Sequence, residues 1–437
     1  MRKTVAFLIV FCMTVAALVG VPTGGLTAHA EWNPPAAVAS QSVYLVNSDT
    51  GTVIYQKNAD QKEAPYSITK LMTAILTIQK YKDSLNTTTT VTKSDLASLA
   101  NTGSSIMDLK AGQQVTVEQL LDGLLIYSGN DAANVLARLV GGDTATFVKQ
   151  MNEEAQKLGC KNTHYVNPHG LPDDQQYTTA ADTYLIAKTA FSYSKLAEIS
   201  GTTSFTYNKQ VLPTTNAMLR KTSPYYYESV KGGKTGSTSQ SFNYVSYAQN
   251  KSGVTYYCSV FGGTGSLYGS NSCFADALAL YKWVYGSFSM RTIVEKGSVQ
   301  GNELDLKLAW NKNKLQPVAA AEFDALIPSG TDLKTIKVIT DKSSPTSVMA
   351  PVKKGQKLGT ADVMLGDQKL GTVELTSPST IARSQPLYFV YMVGRFFSSI
   401  WFVVISICLV AVFLLYLVLL AVYDRRQRTT MRRRRRR

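Results

Sequence analysis

The chain has 437 residues, 45% of them hydrophobic, which is enough for two or three domains and at least one sizeable core. Its formal charge of +15 would suit a nucleic-acid binder, but that charge is concentrated at the ends, with Arg2 and Lys3 at one and nine arginines against one aspartate over 424–437 at the other. Setting aside those net charges of two and eight leaves about +5 for the rest, an ordinary value for a soluble domain, so a nucleic-acid function loses its main support.

Residues 1–30 combine a basic start, an apolar run over 5–21 and the small-residue pattern Ala28-His29-Ala30, which predicts a secretory signal peptide. The mature body then begins near Glu31, outside the cytoplasm. QSVYLVNSDTGTVIYQKN (41–58) alternates about a Ser-Asp-Thr-Gly turn and predicts a β-hairpin. A helical pattern follows over 67–79, with further helical stretches at 117–126, 132–140, 147–158 and 180–191. SFNYVSYAQN and GVTYYCSVFGG then read as paired strands, and 272–285 as a closing helix. Strands at both ends with helices between them predict an α/β domain over 31–290, its one sheet assembled from distant segments.

From residue 291 the texture changes to short, glycine-punctuated runs, predicting a small all-β domain over 291–380 with a hairpin at Gly366-Asp367. It carries no chemical cluster, and a spacer or packing role is the simplest reading. A linker, 381–395, leads to an uncharged stretch at 396–423 that exceeds the roughly 20 residues needed to span a bilayer. The arginine-rich tail, 424–437, predicts that the tail is cytoplasmic, lying against lipid headgroups, and that the body is outside. Without the signal and the span, three cysteines remain (Cys160, Cys258 and Cys273), an odd number without metal-ligand spacing. Whether Cys258 and Cys273 pair is left open. His164 and His169 are the only mature histidines, and neither has a nearby cysteine or an HExxH spacing, so no metal site is expected.

In the stretch APYSITKLMTAILTIQKY, Ile68, Leu71, Met72, Ile75 and Leu76 form one apolar helical face. The opposite face is small or uncharged except for Lys70, so the helix is expected to be enclosed and Lys70 desolvated. Burial lowers a lysine pKa, and residues three apart on a helix are neighbours. Ser67 and Lys70 therefore have the geometry of a nucleophile beside its base. The bland alternative is a capping serine and a lysine reaching water. Two more clusters favour the catalytic reading. Ser128-Gly129-Asn130 sits between two helices, where Ser128 can pass a proton and Asn130 can orient substrate and Lys70, though such a sequence is also ordinary cap chemistry. Lys234-Thr235-Gly236 opens a strand, where the cation and hydroxyl can clamp an anionic end group and Lys234 would further depress Lys70; the alternative is a solvated edge.

SITK, SGN and KTG in this order resemble the serine penicillin-recognising enzymes. YSGNDAA, NPHGLPDDQQYTTAAD (167–182), KGGKTGST and the leading hairpin are similar to the low-molecular-weight D-alanyl-D-alanine carboxypeptidases, and the likeness runs over nearly the whole mature chain. The resemblance implies a β-lactamase/transpeptidase-like domain, an antiparallel sheet with a helical cluster, followed by the small β domain and a membrane attachment. It implies no cofactor. It further implies that Ser67 attacks the bond between the last two D-alanines of a peptidoglycan stem peptide, Lys70 takes its proton and Ser128 relays a proton to the leaving amine. Asn130 would hold the substrate amide, Lys234 and Thr235 the terminal carboxylate, and Ser67 and Ser237 the oxyanion through their N–H groups. β-Lactams would acylate Ser67. Two departures stand out: a full apolar span replaces the amphipathic anchor common in the family, and Ser237 stands where some relatives carry histidine. A β-lactamase is the nearest rival, but 167–177 offers Asp173 and Asp174 without a matching glutamate motif. A non-catalytic wall-binding or β-lactam-sensing protein is the other.

Overall fold

A computed structural model describes residues 34 and 37–434, so the expected signal segment, 1–30, lies outside the described residues. The chain divides into two compact units, one ending at Arg291 but also containing Asp324–Thr331, the other made of Thr292–Phe323 and the residues from Asp332 onward. The return of 324–331 to the first unit follows from pairing, because the strand Phe323–Pro328 joins the strand Phe288–Val294 in a two-stranded sheet.

In the first unit the predicted hairpin is present as β1 (Ser42–Asn47) and β2 (Val53–Lys57). Its turn is closed by Asn47, whose Oδ1 accepts from the Thr50 N–H at 2.9 Å. Three strands from the far end of the unit, β3 (Val230–Ser237), β4 (Phe242–Gln249) and β5 (Thr255–Gly263), complete a five-stranded antiparallel sheet in the order β2-β1-β5-β4-β3. Leu45 lies opposite Cys258, so the sheet is indeed assembled from both ends of the unit. Between β2 and β3 run α1 (Lys70–Tyr81), α2 (Val117–Asp122), α3 (Asn130–Gly141), α4 (Thr144–Lys157) and α5 (Ala180–Ser192), and α6 (Ser272–Ser287) follows β5. Side chains alternate across a strand, and the two faces bury separate cores. Val43 and Leu45 pack with Phe274 and Tyr281 of α6, whereas Val46 packs with the helical cluster around Leu71 and Ile75.

Helix α1 runs through the middle of that cluster, with every residue from Lys70 to Ile78 buried. Burying Ile68, Leu71, Met72, Ile75 and Ile78 contributes on the order of 10 kcal/mol, at about 1.5–3 kcal/mol for each side chain. That exceeds the several kcal/mol that taking one amine out of water typically costs. The apolar face therefore holds Lys70 where it would not go by itself. The helix begins later than the periodicity predicts: Tyr66–Thr69 form a 3₁₀ turn, entered through Tyr66 at φ +47°. A tyrosine with positive φ is strained by about 1–3 kcal/mol, and it sits directly before the expected nucleophile.

The second unit contains a small β domain. β6 (Ile336–Thr340), β7 (Lys357–Leu365) and β8 (Gln368–Thr376) form its largest sheet with the short strand Val318–Ala319. Leu365 faces Gln368 across Gly366-Asp367, the predicted turn, and Gly366 takes φ +59°. A three-stranded sheet with one parallel pair, Leu304–Lys307 beside Ser347–Met349, covers a second small core.

The chain end corrects two sequence boundaries. The stretch 381–395, read as linker, holds most of a helix, α7 (Gln385–Phe397), capped by the Ser384 hydroxyl and with Pro386 in its first turn. The expected span at 396–423 starts instead with α8 (Ile400–Arg434), long and apolar enough over Ile400–Arg426 to cross a membrane, with a mean hydropathy of 3.2 over an 18-residue stretch. Ser398 and Ser399 make the break. Their hydroxyls donate to the carbonyls of Gly394 and Phe396, and the Ser399 N–H also takes the Phe396 carbonyl, the group that a continuing helix would pair with residue 400. Cys160, Cys258, Cys273 and Cys408 are free thiols, which answers the open pairing question.

Candidate active site

The three sequence clusters converge. Lys70 is fully buried, and its Nζ lies 2.8 Å from Ser67 Oγ, 2.6 Å from Asn130 Oδ1 and 2.7 Å from the backbone oxygen of His169. Burial is the main force holding the Lys70 pKa well below its ordinary value; the nearby Lys234 adds to it and Asp131 opposes it. A neutral amine has two hydrogens and one lone pair. The carbonyl of His169 can only accept, and so can the amide oxygen of Asn130, so together they take both hydrogens. The lone pair is left facing the Ser67 hydroxyl, the arrangement a base needs.

Lys234, also fully buried, donates to Ser128 Oγ and to the Thr235 carbonyl, both at 2.9 Å. Burial lowers its pKa to about 7. Thr235 Oγ1 donates to Thr215 Oγ1 at 2.7 Å. Ser128 is presented by irregular backbone: α2 passes into a π-helical turn, Gly123–Tyr127, and Ser128 comes next in the left-handed region at φ +71°. Single π turns recur at functional sites because the extra residue re-aims the side chains just beyond it. Strand β3 is pressed against the nucleophile. A Cβ on Gly236 would lie 2.7 Å from the Pro65 oxygen and 3.1 Å from the Ser67 nitrogen, so only glycine permits this approach. Ser237 is the last residue of β3 and is exposed.

The loop 167–171 forms the floor. Thr73 Oγ1 donates to the Pro168 carbonyl, and Asn167 Oδ1 accepts from the His169 and Gly170 N–H groups. Gly170, at φ +93°, packs on the Tyr66 carbonyl where a Cβ would be 1.8 Å away. The His169 ring is buried and neutral, its pKa pushed down to about 3 by burial and then by Lys70, while its Nδ1 accepts from the Leu171 N–H.

The D-alanyl-D-alanine carboxypeptidase family profile matches residues 27–264, and a penicillin-binding protein 5 C-terminal domain profile matches 288–383. The chain belongs to the D-alanyl-D-alanine carboxypeptidase family. It is 30% identical over 374 residues to carboxypeptidase DacC of Escherichia coli, covering 84% of this chain and 87% of the relative. To DacF of Bacillus subtilis it is 29% identical, covering 74% and 80%. Penicillin-binding protein 5 of Haemophilus influenzae is similar in structure, with a TM-score of 0.66 at 26% identity, over 80% of this chain and all of the other. As a family member the chain is a serine D-alanyl-D-alanine carboxypeptidase, a penicillin-binding hydrolase of the cell wall.

In this carboxypeptidase the six residues form two bonded groups at 2.6–2.9 Å, Ser67–Lys70–Asn130 and Ser128–Lys234–Thr235, the last through the Thr235 backbone, and the two meet where Ser128 and Asn130 lie two residues apart. Sequence reasoning missed two contributors. The His169 carbonyl contributes only backbone, which no side-chain pattern encodes. Thr215 lies in Thr214-Thr215-Asn216, a run with no distinctive signal, and reaches Thr235 only through folding. Among the described residues no group of three or more His, Cys, Asp or Glu is placed to hold a metal.

Proposed function

We propose that this carboxypeptidase removes the terminal D-alanine from peptidoglycan stem peptides through an acyl-enzyme on Ser67. The observation that carries the assignment is the buried Lys70 amine, 2.8 Å from Ser67 Oγ with its other partners both acceptors. Lys70 takes the Ser67 proton as Oγ attacks the scissile carbonyl. The developing oxyanion is met by the N–H groups of Ser67 and Ser237, each such donor typically contributing about 3 kcal/mol. Ser128, bonded to Lys234, passes a proton to the departing D-alanine amine. Asn130 holds the substrate amide, and Lys234 with Thr235 holds the terminal carboxylate. Water then hydrolyses the ester, and Ser67 regains its proton.

From the loop 167–171 the group nearest to Lys70 is a carbonyl rather than a carboxylate. That supports slow deacylation of penicillin, hence a carboxypeptidase rather than a β-lactamase. The deciding assay is D-alanine release from a synthetic peptide ending in D-Ala-D-Ala, with penicillin expected to label the protein for much longer than one peptide turnover. Absence of release, or rapid penicillin turnover, would overturn the assignment. The apolar stretch of α8 is the membrane anchor in this reading, with the catalytic unit outside the cell and the arginines from Arg425 onward on the cytoplasmic side.

The pH profile tests the two lysines separately. Lys70 works when neutral, so kcat/KM rises with pH through its lowered pKa. Lys234 works as a cation, so carboxylate binding is lost as pH rises through about 7 in the free enzyme. Lys234→Arg keeps a cation at all accessible pH. It is expected to move the alkaline limb upward by about one pH unit or more, with the acid limb in place. An alkaline limb that does not move would remove Lys234 from the binding of the carboxylate.

A further inference from the structure

Beside the loop 167–171 the structure has a hollow of about 600 Å³, within the range of roughly 300–1,000 Å³ typical of small-ligand sites. The face of α3 that offers Asn130 to Lys70 continues, about one turn at a time, with Asn134 and Arg138, and both of these line the hollow. So does His169, whose carbonyl accepts from Lys70. Nδ1 of its neutral ring accepts from the Leu171 N–H, so the ring proton is on Nε2. That donor meets no hydrogen-bond partner among the described residues, although His169 is only 6% exposed. Asn134, 7% exposed, is its complement: Nδ2 donates to the Asp95 carbonyl and to Ser98 Oγ, which leaves Oδ1 as an acceptor without a partner among the described residues. Neither atom is sealed inside the protein. Charge does not select the occupant. Arg138 is paired with Asp95 through Nε and Nη2 at 2.8 and 3.0 Å, and Asp143 caps α4, its two oxygens accepting from the N–H and hydroxyl of Thr146. One buried donor and one buried acceptor fit a secondary amide, whose C=O takes the His169 hydrogen while its N–H meets the Asn134 oxygen. The hydroxyls of Ser94, Ser98 and Thr144 at the same hollow match those of a sugar ring better than they match a peptide.

We infer that this hollow binds an acetamido sugar, an N-acetylhexosamine unit of the wall glycan, and that its occupancy steadies the His169 carbonyl on Lys70. The second part rests on the carboxypeptidase reading above; the first does not. A ligand that grips the His169 ring binds best when the loop 167–171 is in place, so it favours the arrangement in which the carbonyl takes a Lys70 hydrogen.

Calorimetry on the full chain compares three probes: N,N′-diacetylchitobiose; cellobiose, the same disaccharide with hydroxyls in place of its acetamido groups; and Nα-acetyl-alanyl-alanine amide, which has amides without the hydroxyls. Diacetylchitobiose is expected to bind saturably, about tenfold more tightly than either of the others. Thr144→Trp, which brings a large ring in from the exposed rim, should abolish that binding. With diacetylchitobiose at saturation, acylation of Ser67 by a fluorescent penicillin should be about threefold faster in the unaltered chain and unchanged in Thr144→Trp, whose labelling without sugar shows that it is folded. No saturable binding, equally tight binding of cellobiose or of the dipeptide, or undiminished binding to Thr144→Trp each overturns the sugar site, and the comparison of probes needs no variant. Binding without faster acylation overturns the coupling to Lys70. Sugar binding by a chain that penicillin never acylates overturns the carboxypeptidase reading instead and leaves the sugar site standing.

Discussion

Ser67→Ala is expected to lower both D-alanine release and penicillin acylation by about 10⁴-fold or more, the scale seen when the nucleophile of a serine hydrolase is removed. The fold should hardly change. Ser67 Oγ has one hydrogen-bond partner among the described side chains, Lys70, and losing one such bond typically costs about 1 kcal/mol. Lys70 keeps its other two acceptors, and the apolar face of α1 is untouched. Gel labelling with a fluorescent penicillin, run beside thermal unfolding, separates the two effects. Undiminished labelling of a folded Ser67→Ala protein would require another nucleophile.

Lys70→Met should be nearly as damaging to acylation, and its cause can be read from pH. Methionine fills a similar volume but takes no proton, so acylation should be lost across neutral pH and should not return on raising it. Acylation that recovers with pH would mean that hydroxide or another group can serve as the base. The same variant has a stability signature. In the wild type the folded-state pKa of Lys70 is lowered, so between that value and the unfolded value of about 10.4 the unfolded chain binds a proton that the folded chain does not. Stability attributable to Lys70 therefore rises with pH through this window and is least below it. Lys70→Met should lose that slope. It also leaves Asn130 Oδ1 and the His169 carbonyl without their donor, each orphaned acceptor costing about 1–3 kcal/mol. Denaturant unfolding at several pH values measures both.

Much of the site was legible because its side chains are unusual for where they sit. One lysine in an otherwise uncharged helix announces burial, and its spacing from Ser67 announces contact. The contact with Asn130 follows once the cluster at 128–130 is placed in the same cleft. The backbone contributions were hidden. Nothing in the composition of 123–128 marks a π turn, yet that turn and the left-handed Ser128 present the hydroxyl to Lys234. Periodicity likewise extended the helix at 67–79 one turn too early, because a 3₁₀ turn and an α-helix bury nearly the same side chains over four residues. At the chain end, hydropathy could not find the break at Ser398 and Ser399, since two serines barely alter the average over a long apolar window.

By itself the sequence determined which chemistry was available: a serine three residues from a lysine, a second serine with its asparagine, and a second lysine beside a threonine, all in segments of readable helix and strand. Local spacing and side-chain type suffice for that, because neighbours on one element meet wherever the element ends up. Only the tertiary structure decided that a backbone carbonyl from residue 169 and an amide from residue 130 would occupy both hydrogens of one amine. Those contacts join parts of the chain 60 and 99 residues apart, and no local pattern carries the position of a carbonyl oxygen.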